Sequence, residues 1–231
     1  MTQQLPGPEE GGFLLVDKPR GWTSFDVVGK LRGALKARFG HRVKVGHGGT
    51  LDPLATGLLV LGYGPYTRKL QELTGSDKTY EGEMTLGAVT PSYDLETDPQ
   101  DLKPYAHIDL TTIEDSLPGF RGPIMQRPPS FSAKRHQGER AYFKARAGDE
   151  VEMDAVPVTI HALEMFGQDG PRVRFRTTVS KGTYIRSLVH DIGQALGCGA
   201  YLSGLRRTRV GALDVTDAKS PEDWSAFICV R

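Results

Sequence analysis

The chain has 231 residues, 38% of them hydrophobic and 25% charged, with 29 Lys and Arg against 28 Asp and Glu for a formal net charge of +1. That length supports one sizeable core and the composition is ordinary for a soluble globular protein; the longest apolar runs, residues 13–16 and 58–61, are far too short to span a membrane. The polar, acidic first dozen residues lack a signal-peptide pattern, and Cys198 and Cys229 offer neither a disulfide framework nor metal-ligand spacing, which points to a reducing cytoplasm.

In chain order, residues 1–11 read as a flexible tail and residues 13–17 as a short buried strand, ending in the turn-forming run Asp17-Lys18-Pro19-Arg20-Gly21. Thr23 and Asp26 have the spacing of a capping box. The helix they open carries Phe25, Val28, Leu31 and Leu35 toward the core and stops near Gly40. Next comes the stretch around which the chain is organised, Gly46-His47-Gly48-Gly49-Thr50-Leu51-Asp52-Pro53-Leu54-Ala55-Thr56-Gly57. It holds four glycines, one histidine and one carboxylate in twelve residues. Glycines serve where the backbone takes positive φ or must approach another group closely, and Pro53 keeps Asp52 extended. A solvated turn accounts for the polar residues but has no use for Leu51 and Leu54. A shaped loop with one acid held at its bend accounts for both.

Residues 58–61 then read as a strand, 66–73 as a short helix, and 78–86 as a half-buried strand with Tyr80, Gly82, Met84 and Leu86 on one face. The acidic stretch 92–104 reads as a loop and 111–117 as a short helix. Residues 121–150 are the least globular part, with Pro123, Pro128 and Pro129 and with basic residues interleaved among Phe131, Tyr142 and Phe143. Such a segment suits phosphate contact and base stacking, and a plain flexible loop fits it equally. Two strands follow over 156–179, the second alternating Val173, Phe175, Thr177 and Val179 with Arg172, Arg174 and Arg176. A helix with Ile185, Leu188, Val189, Ile192 and Leu196 at helical spacing stops at Gly197. Arg186 stands in its first turn, where the helix dipole does not favour a cation, so a specific carboxylate partner is expected. Arg206, Arg207 and Arg209 form a compact basic cluster, and a last short helix spans 221–227.

Near-neutrality conceals segregated charge. From 121 to 146 the basic residues are Arg121, Arg127, Lys134, Arg135, Arg140, Lys144 and Arg146 against the acid Glu139, while acids pool at Asp94, Glu96, Asp98, Asp101, Asp109, Glu114 and Asp115. A basic face for a nucleic acid and an ordinary solvated surface are both consistent with this distribution.

The run from Gly46-His47 through Leu51-Asp52-Pro53-Leu54-Ala55-Thr56-Gly57 resembles the catalytic motif of the TruB family of tRNA pseudouridine synthases. Val16-Asp17-Lys18-Pro19, Asp77-Lys78-Thr79-Tyr80, Ser180-Lys181-Gly182-Thr183-Tyr184-Ile185-Arg186 and Leu205-Arg206-Arg207 match further motifs in the same order, over roughly residues 12–212. Several motifs in register are far more specific than one glycine pattern.

The resemblance implies an α+β pseudouridine synthase fold, a mixed, mostly antiparallel sheet flanked by helices. It implies one catalytic domain over 12–231 with an RNA-binding insertion at 121–150, and a monomer; many members of the family carry a further, separate C-terminal RNA-binding domain, and this sequence departs from them in having no room for one. The implied reaction is isomerisation of uridine 55 in the T stem-loop of tRNA, by base flipping, with no cofactor and no metal. Catalytic roles fall to Asp52 as the carboxylate, Arg186 as its partner, and Tyr80 as the group that stacks on the flipped base and serves in the final proton removal from C5. Tyr184 and Leu205 line the pocket, His47 contacts the RNA loop, and Lys18, grouped with these substrate-binding residues, supports the site's architecture. Lys134, Arg135, Arg206 and Arg207 are the expected RNA-binding cations. Whether Asp52 attacks the sugar or takes a proton from C2′ is open at this level. So are two other classes: a catalytically silent RNA-binding or RNA-folding protein on the same scaffold, and a hydrolase or nuclease pairing Asp52 with Asp17 or Asp77.

Overall fold

The unbroken apolar run at residues 58–61 calls for a strand buried on both faces, and that strand is the centre of the first of two units into which the chain divides. The computed structural model describes residues 5–132, 135–136, 139–140 and 153–230. The first unit comprises Met1–Tyr80 with Leu205–Arg231 and the second Glu81–Gly204. In chain order the strands are β1 (Gly12–Lys18), β2 (Val45–His47), β3 (Thr56–Tyr63), β4 (Lys78–Leu86), β5 (Gly122–Gln126), β6 (Arg135–His136), β7 (Glu139–Arg140), β8 (Val156–Asp169), β9 (Arg172–Val179), β10 (Ala200–Val210) and β11 (Leu213–Asp214). The α-helices are α1 (Ser24–Phe39), α2 (Leu70–Gly75), α3 (Leu110–Ser116), α4 (Ile185–Ala195) and α5 (Pro221–Cys229).

In the first unit β1 runs antiparallel along one edge of β3, from Gly12 opposite Tyr63 to Lys18 opposite Gly57. The other edge is shared. β2 pairs antiparallel with its end, Val45 opposite Tyr63, and β10 pairs parallel with its start, Arg206 opposite Thr56 and Arg207 opposite Gly57. Leu58 and Val60 meet Leu70, Val210, Phe13 and Leu15 on one face, and alternation sends the fully buried Leu59 and Leu61 to the opposite face. α1 opens on the predicted capping box, Asp26 N–H donating to Thr23 Oγ1 at 3.1 Å and Thr23 N–H to Asp26 Oδ2 at 2.8 Å. It closes on Gly40 at φ 76°. Its buried stripe is Val27, Val28, Leu31 and Leu35, whereas Phe25 is 69% exposed, contrary to expectation. Phe25 lies roughly 100° of helix rotation from that stripe and its ring sits under the Arg32 guanidinium at 5.9 Å. α5 packs on α1 and β1, with Trp224 Nε1–H donating to Leu15 O at 2.7 Å. Of the predicted tail, residues 1–4 lie outside the described residues, while Pro6 O accepts from Tyr63 OH at 2.9 Å.

In the second unit β5 pairs antiparallel with β8 and β8 with β9, with register shifts between Ile160 and Ala162 and between Met165 and Gly167; β4 lies on the other side of β9. β9 follows its predicted alternation, burying Val173, Phe175, Thr177 and Val179 and exposing Arg172, Arg174 and Arg176. The Phe175 ring fills the place a side chain at Gly82 would need, since a Cβ there would stand 2.4 Å from it. α4 buries Ile185, Leu188, Val189 and Ile192, and the stretch 92–104 is irregular, both as the sequence predicts. From the insertion at 121–150 the described parts are its start through 132, which includes β5, and the short antiparallel pair β6 and β7; Lys134 lies outside the described residues, and Arg135 is described only as pairing opposite Arg140. β3 with β10 is parallel, and the pairings β1–β3, β2–β3, β5–β8, β8–β9 and β10–β11 are antiparallel, so the sheet architecture is mixed and mostly antiparallel, with helices beside it. Among the described residues no helix is long and apolar enough to cross a membrane.

Candidate active site

The glycine-rich loop leaves β2 at His47 and enters β3 at Thr56. Its apolar residues anchor it: Leu51 and Ala55 are buried, while Asp52 between them is half-buried. A tight turn follows the acid, Ala55 N–H donating to Asp52 O at 3.1 Å. Three neighbours hold the turn from outside. Ser24, buried at the head of α1, accepts from Leu51 N–H at 2.9 Å and donates to Leu51 O at 3.1 Å. Gly21 N–H donates to Pro53 O at 2.8 Å. Lys18 Nζ reaches Trp22 O at 2.7 Å, Pro19 O at 3.0 Å and Pro53 O at 3.3 Å.

A fully buried ammonium is costly, and burial is the largest cause lowering the Lys18 pKa to about 8; Asp52 opposes that shift and Arg207 adds to it. His47 is held below its ordinary value, first by burial and then by Arg207, and its Nδ1 accepts from Gly49 N–H at 3.4 Å. Thr56 Oγ1 donates to Leu205 O at 3.3 Å, which ties the end of the loop to the half-buried Leu205 on β10. Tyr80, on β4, is buried.

The basic cluster read from the sequence is split by the strand that carries it. Arg206 and Arg207 point to opposite faces of β10. Arg206, half-exposed, forms a two-pronged pair with Asp17 at 2.9 and 2.7 Å. Arg207, expected as an RNA contact, is instead 3% exposed and donates to Leu58 O, Gly49 O and Thr50 O at 2.7, 3.1 and 3.3 Å. Its guanidinium is spent on the loop.

The second unit holds Arg186, placed by the first turn of α4 and 5% exposed. It donates to Ser92 O at 3.1 Å and Phe131 O at 3.0 Å, and its Nε stands 3.7 Å from Asp94 Oδ2. Asp94, itself buried, accepts at Oδ1 from Ser92 Oγ at 2.7 Å and Glu96 N–H at 2.9 Å. Between those two partners Tyr93 takes a left-handed φ of 64° and stacks on His190, one turn along α4 from Arg186, with ring centroids 3.8 Å apart. Burial holds His190 below its ordinary pKa and lifts Asp191 to about 6. Tyr184, at the N-cap of α4, has both its backbone groups bound by the buried Gln126 side chain, at 2.8 and 3.1 Å.

A family model described as the TruB family pseudouridylate synthase N-terminal domain matches residues 35–185, and a second, the tRNA pseudouridylate synthase B C-terminal domain, matches residues 186–227. The chain belongs to the TruB family of pseudouridylate synthases. It is similar to the tRNA pseudouridine synthase B of Chlorobium luteolum, 50% identical over 96% of this chain and 76% of the relative, and to that of Flavobacterium johnsoniae, 46% identical over 90% of this chain and 92% of the relative. Solved structures share the fold. A chain of an H/ACA RNP bound to a substrate RNA containing 2'-deoxyuridine has a TM-score of 0.69 at 29% identity, and one of a Cbf5-Nop10-Gar1 complex a TM-score of 0.68 at 31% identity. This chain is covered to 95% and 92% in those two comparisons and spans about half of each solved chain, 54% and 53%.

Within this TruB member the motif residues are distributed over both units. Lys18, His47, Asp52, Tyr80 and Leu205 belong to the first unit, and Tyr184 and Arg186 to the second. Sequence reasoning missed Ser24, Asp94 and Gln126. Asp94 was hidden in an acidic stretch that composition assigns to solvent, and Ser24 reads as the first residue of a helix; neither signals its distant partner. The one available signal was the polar flank of Asp94, where Ser92 and Thr97 can satisfy a turn.

Proposed function

We propose that this TruB protein isomerises uridine 55 in the T stem-loop of tRNA to pseudouridine, with Asp52 as the catalytic carboxylate. The observation that carries the reading is the Asp52 loop itself: a half-buried acid at the apex of a turn whose neighbours on both sides are fixed by Ser24, Lys18, Gly21 and Arg207. The substrate base leaves its stack to reach such a group, as in other enzymes that work on bases. The bond from C1′ to N1 breaks, the uracil turns, and a bond from C1′ to C5 forms; C5 loses a proton and N1 gains one, so no atom enters or leaves overall. A carboxylate serves this chemistry either by bonding to C1′, as in glycoside transfer, or by taking a proton from C2′. Arg186 is the second catalytic residue of this reading, its guanidinium supplying a charge and a rigid fork that suit a carboxylate. Tyr80 stacks on the turned base, and Leu205 and Tyr184 are further substrate contacts of this reading.

Mapping of pseudouridine in an unmodified tRNA transcript tests the reading. Conversion confined to position 55, and abolished in a transcript with cytidine there, is expected. Tight tRNA binding with unmodified product would replace the synthase with a silent RNA-binding protein, and release of uracil would point to a hydrolase.

A further inference from the structure

The structure assigns Arg207 a task that the motif alone does not give it. We propose that Arg207 is a positioning residue for the reaction, gathering the carbonyls of Gly49 and Thr50 on the entry limb of the loop and of Leu58 on its exit limb, and so fixing where Asp52 stands against the sugar. The inference rests on the reading of Asp52 as the catalytic carboxylate.

Three observations carry it. The first is the geometry of the fork: Nε donates to Leu58 O at 2.7 Å, and Nη2 and Nη1 donate to Gly49 O and Thr50 O at 3.1 and 3.3 Å. A planar group with donors on separate edges spans both limbs at once, which an ammonium, a single point of charge, does not. The seven residues between those limbs, with Asp52 among them, are thereby closed into a ring.

The second is the approach of β10 to β3. Gly57 has φ 99°, and a Cβ there would stand 2.3 Å from Arg207 O. The two strands meet this closely where Gly57 lies opposite Arg207 in parallel register, which carries the Arg207 side chain beneath the loop.

The third is charge. Arg207 is buried and, among the described residues, its bonds are all to carbonyls. Lys18, a second buried cation, feels both Arg207 and Asp52. Two desolvated cations are costly unless an anion stands near, and the carboxylate this loop offers is Asp52. A residue placed merely to stabilise the core would do so better as an apolar side chain of similar volume.

The test compares wild type, Asp52→Asn, Arg207→Lys and Arg207→Met on a T-arm stem-loop RNA carrying tritium at uracil C5, under single turnover with saturating enzyme. A misplacement of about 1 Å costs on the order of a hundredfold in rate, so tritium release should fall about a hundredfold in both Arg207 variants, with RNA affinity within about threefold of wild type. Amide exchange should quicken over residues 48–57 and stay unchanged in α1 and β1. Arg207→Lys keeps the buried charge and decides the matter if Arg207→Met does not fold. Near wild-type release by the Lys variant, or a loss that follows the unfolded fraction, overturns the proposal. A wild type that releases no tritium overturns the reading of Asp52, and the proposal with it.

Discussion

Ser24 and Leu51 exchange two hydrogen bonds, Leu51 N–H to Ser24 Oγ at 2.9 Å and Ser24 Oγ back to Leu51 O at 3.1 Å, across 27 positions of sequence. One hydroxyl thus satisfies both backbone groups of the residue before Asp52. Ser24→Ala leaves a buried donor and acceptor without that partner, at a cost of about 1–3 kcal/mol. Denaturant unfolding should show that loss, and turnover at a temperature where the variant stays folded should fall more than RNA affinity does. A variant as stable as wild type would mean that water replaces the hydroxyl.

Lys18 links the site to pH. Its folded pKa is about 8 against an ordinary value of 10.5, with burial the largest cause. Between those values the unfolded chain binds more protons than the folded one, so this residue's penalty is fully present below about pH 8 and is relieved as pH rises toward 10.5. Stability should therefore rise more steeply with pH in wild type than in Lys18→Met over that window, as denaturant midpoints would show. Parallel slopes would contradict the burial of a charged Lys18. Turnover should move the other way, since a neutral amine has two N–H groups for three carbonyls.

Tyr93 combines a left-handed backbone with a stacked ring. A non-glycine residue there costs about 1–2 kcal/mol, and an aromatic stack contributes about 0.5–1.5 kcal/mol. Tyr93→Ala loses the stack and keeps the backbone cost, whereas Tyr93→Gly loses both. The Gly variant should be the more stable of the two by about 1 kcal/mol, measured by thermal unfolding. The reverse order would show that the bend at Tyr93 carries no strain.

Asp94 and Arg186 are both buried, and Ser92 serves both, its carbonyl accepting from Arg186 and its hydroxyl donating to Asp94. Removing one member of a buried pair costs about 3–5 kcal/mol. Asp94→Ala should approach that figure, and Asp94→Asn should cost less because the amide oxygen still accepts from Ser92 and Glu96. Equal losses in the two variants would assign the effect to the lost charge and not to packing or hydrogen bonding.

The parts of this fold legible in the sequence are those set by local periodicity and local caps. The Thr23 and Asp26 box, the Gly40 stop, the alternation of β9 and the apolar stripe of α4 all follow from spacing that one element carries by itself. Phe25 misled because its distance of three residues from Val28 suits a helix face, while the stripe is centred by Val27, Leu31 and Leu35. Arg207 misled for the opposite reason. Composition groups it with Arg206 and Arg209, but the period of two turns it to the face opposite Arg206. The roles of Ser24, Gln126 and Asp94 depend on partners brought together by the fold, from Ser24 meeting Leu51 to Gln126 gripping Tyr184. No window of sequence contains both halves of those contacts.

Asp52 is the residue on which the functional account stands. The most direct measurement is tritium release from a T-arm stem-loop RNA labelled at uracil C5, with a chelator present, comparing wild type with Asp52→Asn. The account predicts release by wild type and none above background by Asp52→Asn, with RNA binding by the variant unchanged. Release by Asp52→Asn at the wild-type rate, or none by a wild type that binds the RNA tightly, would contradict it.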